Sequence, residues 1–591
     1  MKLLRNLPLL GTLAILLASV LLQGPLWQML GDRVCAYADW AGLCEAAGGA
    51  LPGGLLRWLA SVTATLWTLP WLGTSITCLL ATAGTYAGIR FAKLPWPVAI
   101  SGPALALWQV TYCGFSVWIF LQPEAPTLRL IVWIGFMLLL ALARKHPLAA
   151  LLATAGLYPA VGTPALLALP LLALAPRTAA GRLPWIWFIA AVAAAALLPI
   201  LWKLLCPFDP AWDVLLLSNA SFLAEEHALI WNIAGALPLL VIAAALTVLP
   251  ALKQHLAPLL EKRSHIRTAA ACIGAPILTA GLLLLTMDSI RPLYDILACE
   301  RAVKNNRTET IRALPTERIL RHRMLCAYRI YADWRAGILE NTLFDIPYTV
   351  SHTASTINAM ELDGPELLMR YGLLQIARRW TYESLISKGF NAVACERLAI
   401  IALCCGENDL ARKYLFQLAR FPLRSRRATE LTNILDGKAQ PDSELQRLAH
   451  LHNALCQDSG SPIFAGSEKP EGTIYDRYAV VKNGNKEMIA MYLCASLLRK
   501  DTLPFVDNYQ VILDVWSERP LPRAFQQALL STAVDPKYEG KRLNLTPDLF
   551  SPGMIEAFNA FQQESPTANP ANPKFRKRFG RSYWYYSTFV Q

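Results

Sequence analysis

The feature that most constrains this chain is a series of apolar segments, each near the length needed to cross a bilayer, that stops at about Met287. A helix needs about 20 apolar residues to span the hydrocarbon core. The candidates are Leu7–Leu22, Trp58–Ile89, Pro97–Leu121, Leu128–Ala143, Pro184–Leu205, Leu229–Leu249 and Thr268–Thr286. The second is long and interrupted at Pro70, which predicts a kink or a surface extension. The fourth is short, with Arg129 placed to snorkel. The first lacks a small-residue cleavage site and reads as a retained signal anchor.

Charge confirms the split. Residues 1–286 hold 16 Lys/Arg and 9 Asp/Glu, whereas residues 287–591 hold 39 and 33. The chain is also longer than one core usually serves. The expected organisation is a transmembrane domain over 1–286 and a soluble helical domain over 287–591, probed for orientation by its basic residues.

Orientation turns on one ambiguous stretch. Pro147–Tyr158 and Pro164–Ala175 are apolar runs of 12 residues each, separated by Pro159 to Thr163. At about 1.5 Å per residue each covers about 18 Å, short of the roughly 30 Å core. The pair is a re-entrant hairpin, two thin spans or one kinked span. With a cytoplasmic N-terminus and a pair that returns to its starting side, Lys2, Arg5, Arg90, Lys93, Arg144, Lys145, Arg177, Arg182, Lys253, Lys262, Arg263 and Arg267 share one side. Only Arg33, Arg57, Arg129 and Lys203 fall on the other. That bias has the sense of the positive-inside rule, and a single kinked span would spoil it. Seven firm spans, or nine with the hairpin, then leave the C-terminal domain outside the cytoplasm.

The acids Asp32, Asp39, Glu45, Glu124, Asp209, Asp213, Glu225 and Glu226 all fall on the outer side. Polar loops need some charge, which explains them without a site. The sharper reading is that Asp32 and Asp39, with the loop from Cys206 to Ala228, build an extracytoplasmic acidic site. No Asp, Glu, Lys, Arg or His lies well inside a firm span. This argues against a proton-coupled transporter or ion pump.

Beyond Arg291 the apolar spacing becomes that of amphipathic helices. Leu367–Lys388 reads as one helix ended by Gly389. In the segment from Cys395 to Pro422, Leu398 and Ala399 pack in a first helix, and Gly406, Asn408 and Asp409 make a turn. Ala411, Leu415 and Leu418 line a second helix, closed by Pro422. This spacing resembles a tetratricopeptide repeat (TPR), in which small residues let two helices approach. Residues 293–313 read as helix, Asn-Asn turn, helix, and residues 486–531 as three helices broken at 502–504 and 520–522. Residues 459–475 and 562–574 read as loops. A generic helical bundle is the alternative to a short solenoid, and a solenoid offers a concave surface to a peptide or protein partner.

The net charge of +13 does not point to nucleic acid. It is spread over both halves, at segment ends in one and interleaved with acids in the other. The run Lys574, Arg576, Lys577, Arg578 reads as a solvated face. The aromatic end Tyr583-Trp584-Tyr585-Tyr586 reads as docking on the helical domain rather than anchoring at a bilayer. The 13 cysteines form no CxxC pair. Cys404-Cys405 with His450, His452 and Cys456 is a weak metal pattern, because residues two apart on a helix do not share a face. Cys35 and Cys44 share one short loop, where a disulfide forms if the loop is extracytoplasmic. There is no GxSxG, P-loop, HExxH or dinucleotide fingerprint, and His352 in Ser-His-Thr-Ala-Ser lacks a third partner. No cofactor or metal is expected.

Pro52-Gly53-Gly54-Leu55-Leu56, Leu69-Pro70-Trp71-Leu72-Gly73, the Gly406–Leu418 repeat, Asn483 through Tyr492-Leu493 and the Tyr583–Tyr586 end carry a resemblance over nearly the whole chain. It resembles an uncharacterised, domain-of-unknown-function family of bacterial polytopic membrane proteins with a TPR-like C-terminal domain. That resemblance implies a bacterial inner membrane and assigns no catalytic residue. Residues 133–176 are in addition similar to the paired short helices after a basic turn in multi-span (GT-C-like) lipid-linked glycosyltransferases. Such enzymes keep an acid in the first outer loop, which Asp32 or Asp39 would match as a general base or metal ligand. The expected function is an envelope interaction protein, with the glycosyltransferase as the alternative.

Overall fold

The structure is a computed structural model that describes residues 40–48, 52–94, 125–173, 185–205, 291–346, 364–457 and 485–590, with single residues excepted and isolated positions such as Tyr37, Asp39 and Tyr478 added. The expected spans Leu7–Leu22, Pro97–Leu121, Leu229–Leu249 and Thr268–Thr286 lie outside the described residues apart from isolated positions, as do Asp32, Cys35, His352 and most of the 459–475 loop. Among the described residues every regular element is a helix and there is no strand. The chain divides into two compact units. One comprises Met1–Ile290 with Lys388–Cys395 and Phe416–Thr429, and the other Arg291–Ser387, Glu396–Leu415 and Glu430–Gln591.

In the first unit the described helices are α1 (Trp40–Gly48), α2 (Gly54–Thr65), α3 (Pro70–Arg90), α4 (Ala125–Ala143), α5 (Pro147–Gly156), α6 (Tyr158–Val161), α7 (Thr163–Ala173) and α8 (Trp185–Leu205). Among the described residues, two stretches, Trp71–Arg90 and Ile186–Leu205, are long and apolar enough to cross a membrane, and Thr127–Ala143, Pro147–Gly156 and Thr163–Ala173 are shorter apolar helices. The long segment from Trp58 to Ile89, expected to carry a kink or a surface extension at Pro70, is two helices. A 3-10 turn at Leu66–Thr68 ends α2, and Pro70 starts α3 at its first position. Proline has no N–H to give an upstream carbonyl but suits a helix start, so it divides the apolar run instead of bending it.

The two short runs do form helices. α5 and α7 pack against each other through Ala150, Leu151, Leu169 and Leu172, within a core that also holds Trp133, Met137 and Leu140 of α4. Gly162 makes the turn between them at φ 76. The hairpin is tied to the start of α2, where the Gly53 N–H donates to the Pro159 carbonyl at 2.8 Å. Close approach of α3 to α4 depends on Gly84 and Gly88. A Cβ at Gly84 would lie 2.6 Å from Trp133 Cδ1, and one at Gly88 would lie 3.2 Å from Met137 Sδ. Two glycines four apart give the small-residue face on which apolar helices pack closely.

The second unit is built from α9 (294–304), α10 (Arg323–Arg335), α11 (Gly364–Arg370), α12 (Leu374–Lys388), α13 (Ala392–Cys404), α14 (Asn408–Ala419), α15 (Ser425–Leu435), α16 (Ser443–Gln457), α17 (Lys486–Leu498), α18 (Arg523–Val534), α19 (Met554–Glu564), α20 (Pro573–Phe579) and α21 (Tyr583–Phe589), with α13 to α15 running partly in the first unit. The α13–α14 pair has the expected turn, with Gly406 left-handed at φ 73 and Ala411, Leu415 and Leu418 buried. Leu367–Lys388, however, is two helices broken at Gly372, whose φ is 82. A Cβ there would lie 2.6 Å from Leu451 Cβ, so the glycine makes a notch that α16 fills. The 486–531 region has the expected breaks and one more at Asn508, between Leu503–Asp507 and Tyr509–Val515. The expected loop at 562–574 begins later, because α19 continues to Glu564.

The aromatic end docks on its own domain. Tyr583, Trp584 and Tyr585 are buried. The Trp584 indole donates to the Gln527 carbonyl at 3.0 Å, and the Tyr583 N–H donates to the Gln527 side chain at 2.8 Å. Phe344, Phe558 and Phe561 pack around these rings. The basic run before it is exposed, with Arg578 paired to Glu564.

Candidate functional site

Asp39 lies just before α1, and its carboxylate is already committed. Its Oδ1 accepts from the Gly42 N–H at 2.7 Å, which caps the helix start. Arg420, in the same unit, donates from Nε to Oδ2 at 2.7 Å and from Nη2 to Oδ1 at 3.3 Å. The Tyr37 ring stacks under that guanidinium at 3.8 Å, and the Tyr37 hydroxyl donates to Gln417 at 2.8 Å. The Arg420 hydrogen bonds, with that of Gly42, hold the Asp39 carboxyl below its ordinary range. A carboxylate so held is a weak base. Asp32 lies outside the described residues, so no geometry joins the two acids. Arg420 could not be found from the sequence, because nothing local links residues 381 positions apart.

A larger constellation lies inside the helical unit. Glu366 of α11 accepts from Arg370 at 3.0 Å and from Arg397 of α13 at 3.2 Å. Arg370 reaches on to Glu444 of α16 at 3.2 Å, and Glu444 accepts from Arg447 at 2.8 Å. Arg447 also donates to the Tyr331 hydroxyl and to the Arg370 carbonyl. Burial opposes the charge on Glu366, but Lys304, Arg370 and Arg397 outweigh it and hold its carboxyl below the usual range. Burial likewise opposes charge on Glu444, and Arg447, Arg370 and Arg335 overcome it. Beside the ions, Trp334 stacks on Tyr371 at 5.5 Å and Tyr478 packs edge-on to both. These charges face one another rather than a cleft, so the cluster fixes the packing of α10, α11, α13 and α16.

Two features lie apart from these clusters, the first at the surface and the second half-buried. The first is a cavity of about 550 Å³ at the end of α18, lined by Asp535, Tyr538, Glu539, Lys541 and Asn544 among others. The second gathers residues from the weak metal pattern. Cys405 Sγ stands 3.5 Å from His452 Nε2, while Cys404 turns its thiol to the Leu445 carbonyl instead. Among the described residues no group of three or more His, Cys, Asp or Glu is arranged to hold a metal ion. Cys44 is exposed and its thiol is free, while Cys35 lies outside the described residues.

Compared with known proteins, residues 48–590 match the model of a family described as a family of unknown function, DUF6057. No curated protein and no solved structure matches the chain.

Proposed function

The chain belongs to that family of unknown function, and from this premise and its own residues we propose that it is an envelope interaction protein. A nine-span base in the bacterial inner membrane, with its N-terminus in the cytoplasm, presents a TPR-like helical domain to a protein or peptide partner in the periplasm. The surface cavity at the end of α18 carries the reading. Its lining mixes carboxylates, a lysine, an amide and a tyrosine ring, the mixture that receives a peptide's backbone and side chains. The domain behind it is braced by paired buried charges, which gives a rigid platform.

The membrane base draws on α8. Ile186, Ile189, Leu204 and Leu205 are each more than 60% exposed, an outward apolar face that suits lipid rather than water. The orientation rests on the distribution of basic residues. The partners are therefore the bilayer and a polypeptide, and nucleic acid has no part.

The test is photo-crosslinking in native membranes from a probe placed at Glu539 or Asn544. A discrete adduct lost on changing Tyr538 to Ala supports the proposal. Probes that capture nothing in a normally folded protein count against it. A periplasm-active reporter joined after Gln591 tests the orientation, and activity restricted to the cytoplasm overturns it.

The hairpin α5–α7 favours the second reading, a multi-span lipid-linked glycosyltransferase, because it follows the basic turn Arg144-Lys145. Asp39 as general base sits poorly with its Arg420 pairing, which leaves Asp32 as the residue to test. Loss of lipid-linked sugar transfer in Asp32→Asn, at normal protein level, would favour the enzyme.

A further inference from the structure

The neighbouring thiols Cys404 and Cys405, both half-buried, meet different partners. Cys404 is sunk against α16, and burial, with Cys405 adding to it, pushes its thiol up to about 12. Cys405 is half-buried at the end of α13, next to Gly406, beside which a Cβ would meet only open space. Three side chains converge on its sulfur or its surroundings. His452 Nε2 is 3.5 Å away, and the Gln375 amide donates to the sulfur at 3.7 Å. Arg378 lies within electrostatic reach and is itself held by Glu407, at 2.9 Å through each of its terminal nitrogens.

The imidazole is set for this contact. The Gly372 backbone hydrogen-bonds the ring in the sense that favours its protonated form, as a carbonyl acceptor does. With Nε2 turned to the sulfur, that carbonyl accepts a hydrogen bond from the other ring nitrogen's N–H, which leaves the Nε2 lone pair toward the thiol. Burial first, and then Arg378, keep the ring neutral toward lower pH than an ordinary histidine. The ring is therefore unprotonated and able to receive the thiol proton, while its burial makes it a weaker base than an ordinary imidazole. His452 stands where it can receive the thiol proton, and Arg378 stands beside the sulfur. The notch at Gly372 is what admits α16 and so brings His452 to this place.

We infer that Cys405 and His452 form a thiol–imidazole pair that exchanges with small disulfides, making Cys405 a modification site of the helical domain. In the step, His452 takes the Cys405 proton and the sulfur attacks one sulfur of the incoming disulfide. The new Cys405 S–S bond forms as the old S–S bond breaks, and the departing thiolate receives the proton from His452. The disulfide is the oxidant: Cys405 is oxidised and the leaving thiol is reduced.

The test is pulsed treatment of the full-length protein in detergent with oxidised glutathione, with each cysteine's modification followed by mass spectrometry. Cys405 is expected to react about tenfold faster than Cys44, because a base 3.5 Å from its sulfur outweighs the better access of the exposed Cys44. His452→Gln is expected to bring Cys405 down to the rate of Cys44, Arg378→Met to slow it severalfold, and Cys404→Ser to leave it unchanged. A Cys405 no faster than Cys44 in the unaltered protein overturns the inference without reference to any variant's folding. So does an unchanged Cys405 rate in both His452→Gln and Arg378→Met.

Discussion

Arg420 holds both carboxylate oxygens of Asp39, a two-pronged pair between residues 381 positions apart. The Asp39 side chain remains about one-third exposed. The pair is therefore screened by solvent, and its removal is expected to cost no more than about 1 kcal/mol. Asp39→Asn should leave expression and thermal stability nearly unchanged, with lipid-linked sugars and surface glycans as in the unaltered protein. Lost glycans with normal protein level would return Asp39 to a chemical role.

Glu366 is the opposite case. It sits between Arg370 and Arg397, all three at most 10% exposed. Glu366→Gln would leave two guanidinium groups buried against a neutral amide, a loss on the order of 3–5 kcal/mol. Urea unfolding followed by circular dichroism checks this, and a change below about 1 kcal/mol would show that water reaches the cluster.

The same carboxylates set an acid limit. Glu366 and Glu444 are both held below the ordinary value of 4.5 in the folded protein. Groups depressed in this way contribute stability that is fully present above that value and is lost as pH falls through the lower folded values. The urea midpoint of the protein should be flat from about pH 7 to pH 5 as far as these groups are concerned, and should fall below about pH 4.5. A fall confined to the range above pH 5 would assign acid sensitivity to other groups.

Gly372→Ala tests the notch. The new Cβ would meet Leu451 at 2.6 Å from a left-handed backbone. Strain and overpacking together predict a loss of about 1–3 kcal/mol. The substitution should also reduce the Cys405 exchange rate, since α16 carries His452. An unchanged melting curve would mean that α16 shifts freely.

Trp584→Ala should cost about 3–5 kcal/mol, as for a large aromatic removed from a core. The indole touches Phe558 and Phe561 and donates to Gln527. A bilayer anchor would instead show unchanged stability in detergent and altered membrane retention.

Much of the helical arrangement was legible because helix ends are written locally. Gly406 and the small Ala411 announce the α13–α14 turn, and the aromatic density at Tyr583–Tyr586 announces burial. Gly372 was read as an interior residue because the apolar spacing continues on both sides of it. Its reason for being glycine is Leu451, which is distant in sequence. Pro70 predicts a kink or a surface extension, because a proline inside an apolar run looks the same whether it bends a helix or starts one. The reason for glycine at 84 and 88 lies in the facing Trp133 and Met137, which nothing local in the sequence indicates. Of the candidate site, Asp39 was nameable and its partner Arg420 was not. Likewise Cys405 and His452 were noticed as a sequence pattern, while Gln375 and Arg378 carry no mark that would join them to it.

The paired charges have a consequence for how the helical domain comes apart. In a simple solenoid each repeat touches only its neighbours, so end repeats fray while the middle persists. Here Glu366 is tied to Arg397, Arg370 to Glu444, and Arg335 to Glu487. Peeling α11, α13 or α16 away would strand a buried ion in the part that remains, whereas the Arg335–Glu487 tie is partly exposed. These helices should accordingly exchange their amide hydrogens as one block, in a single all-or-none opening.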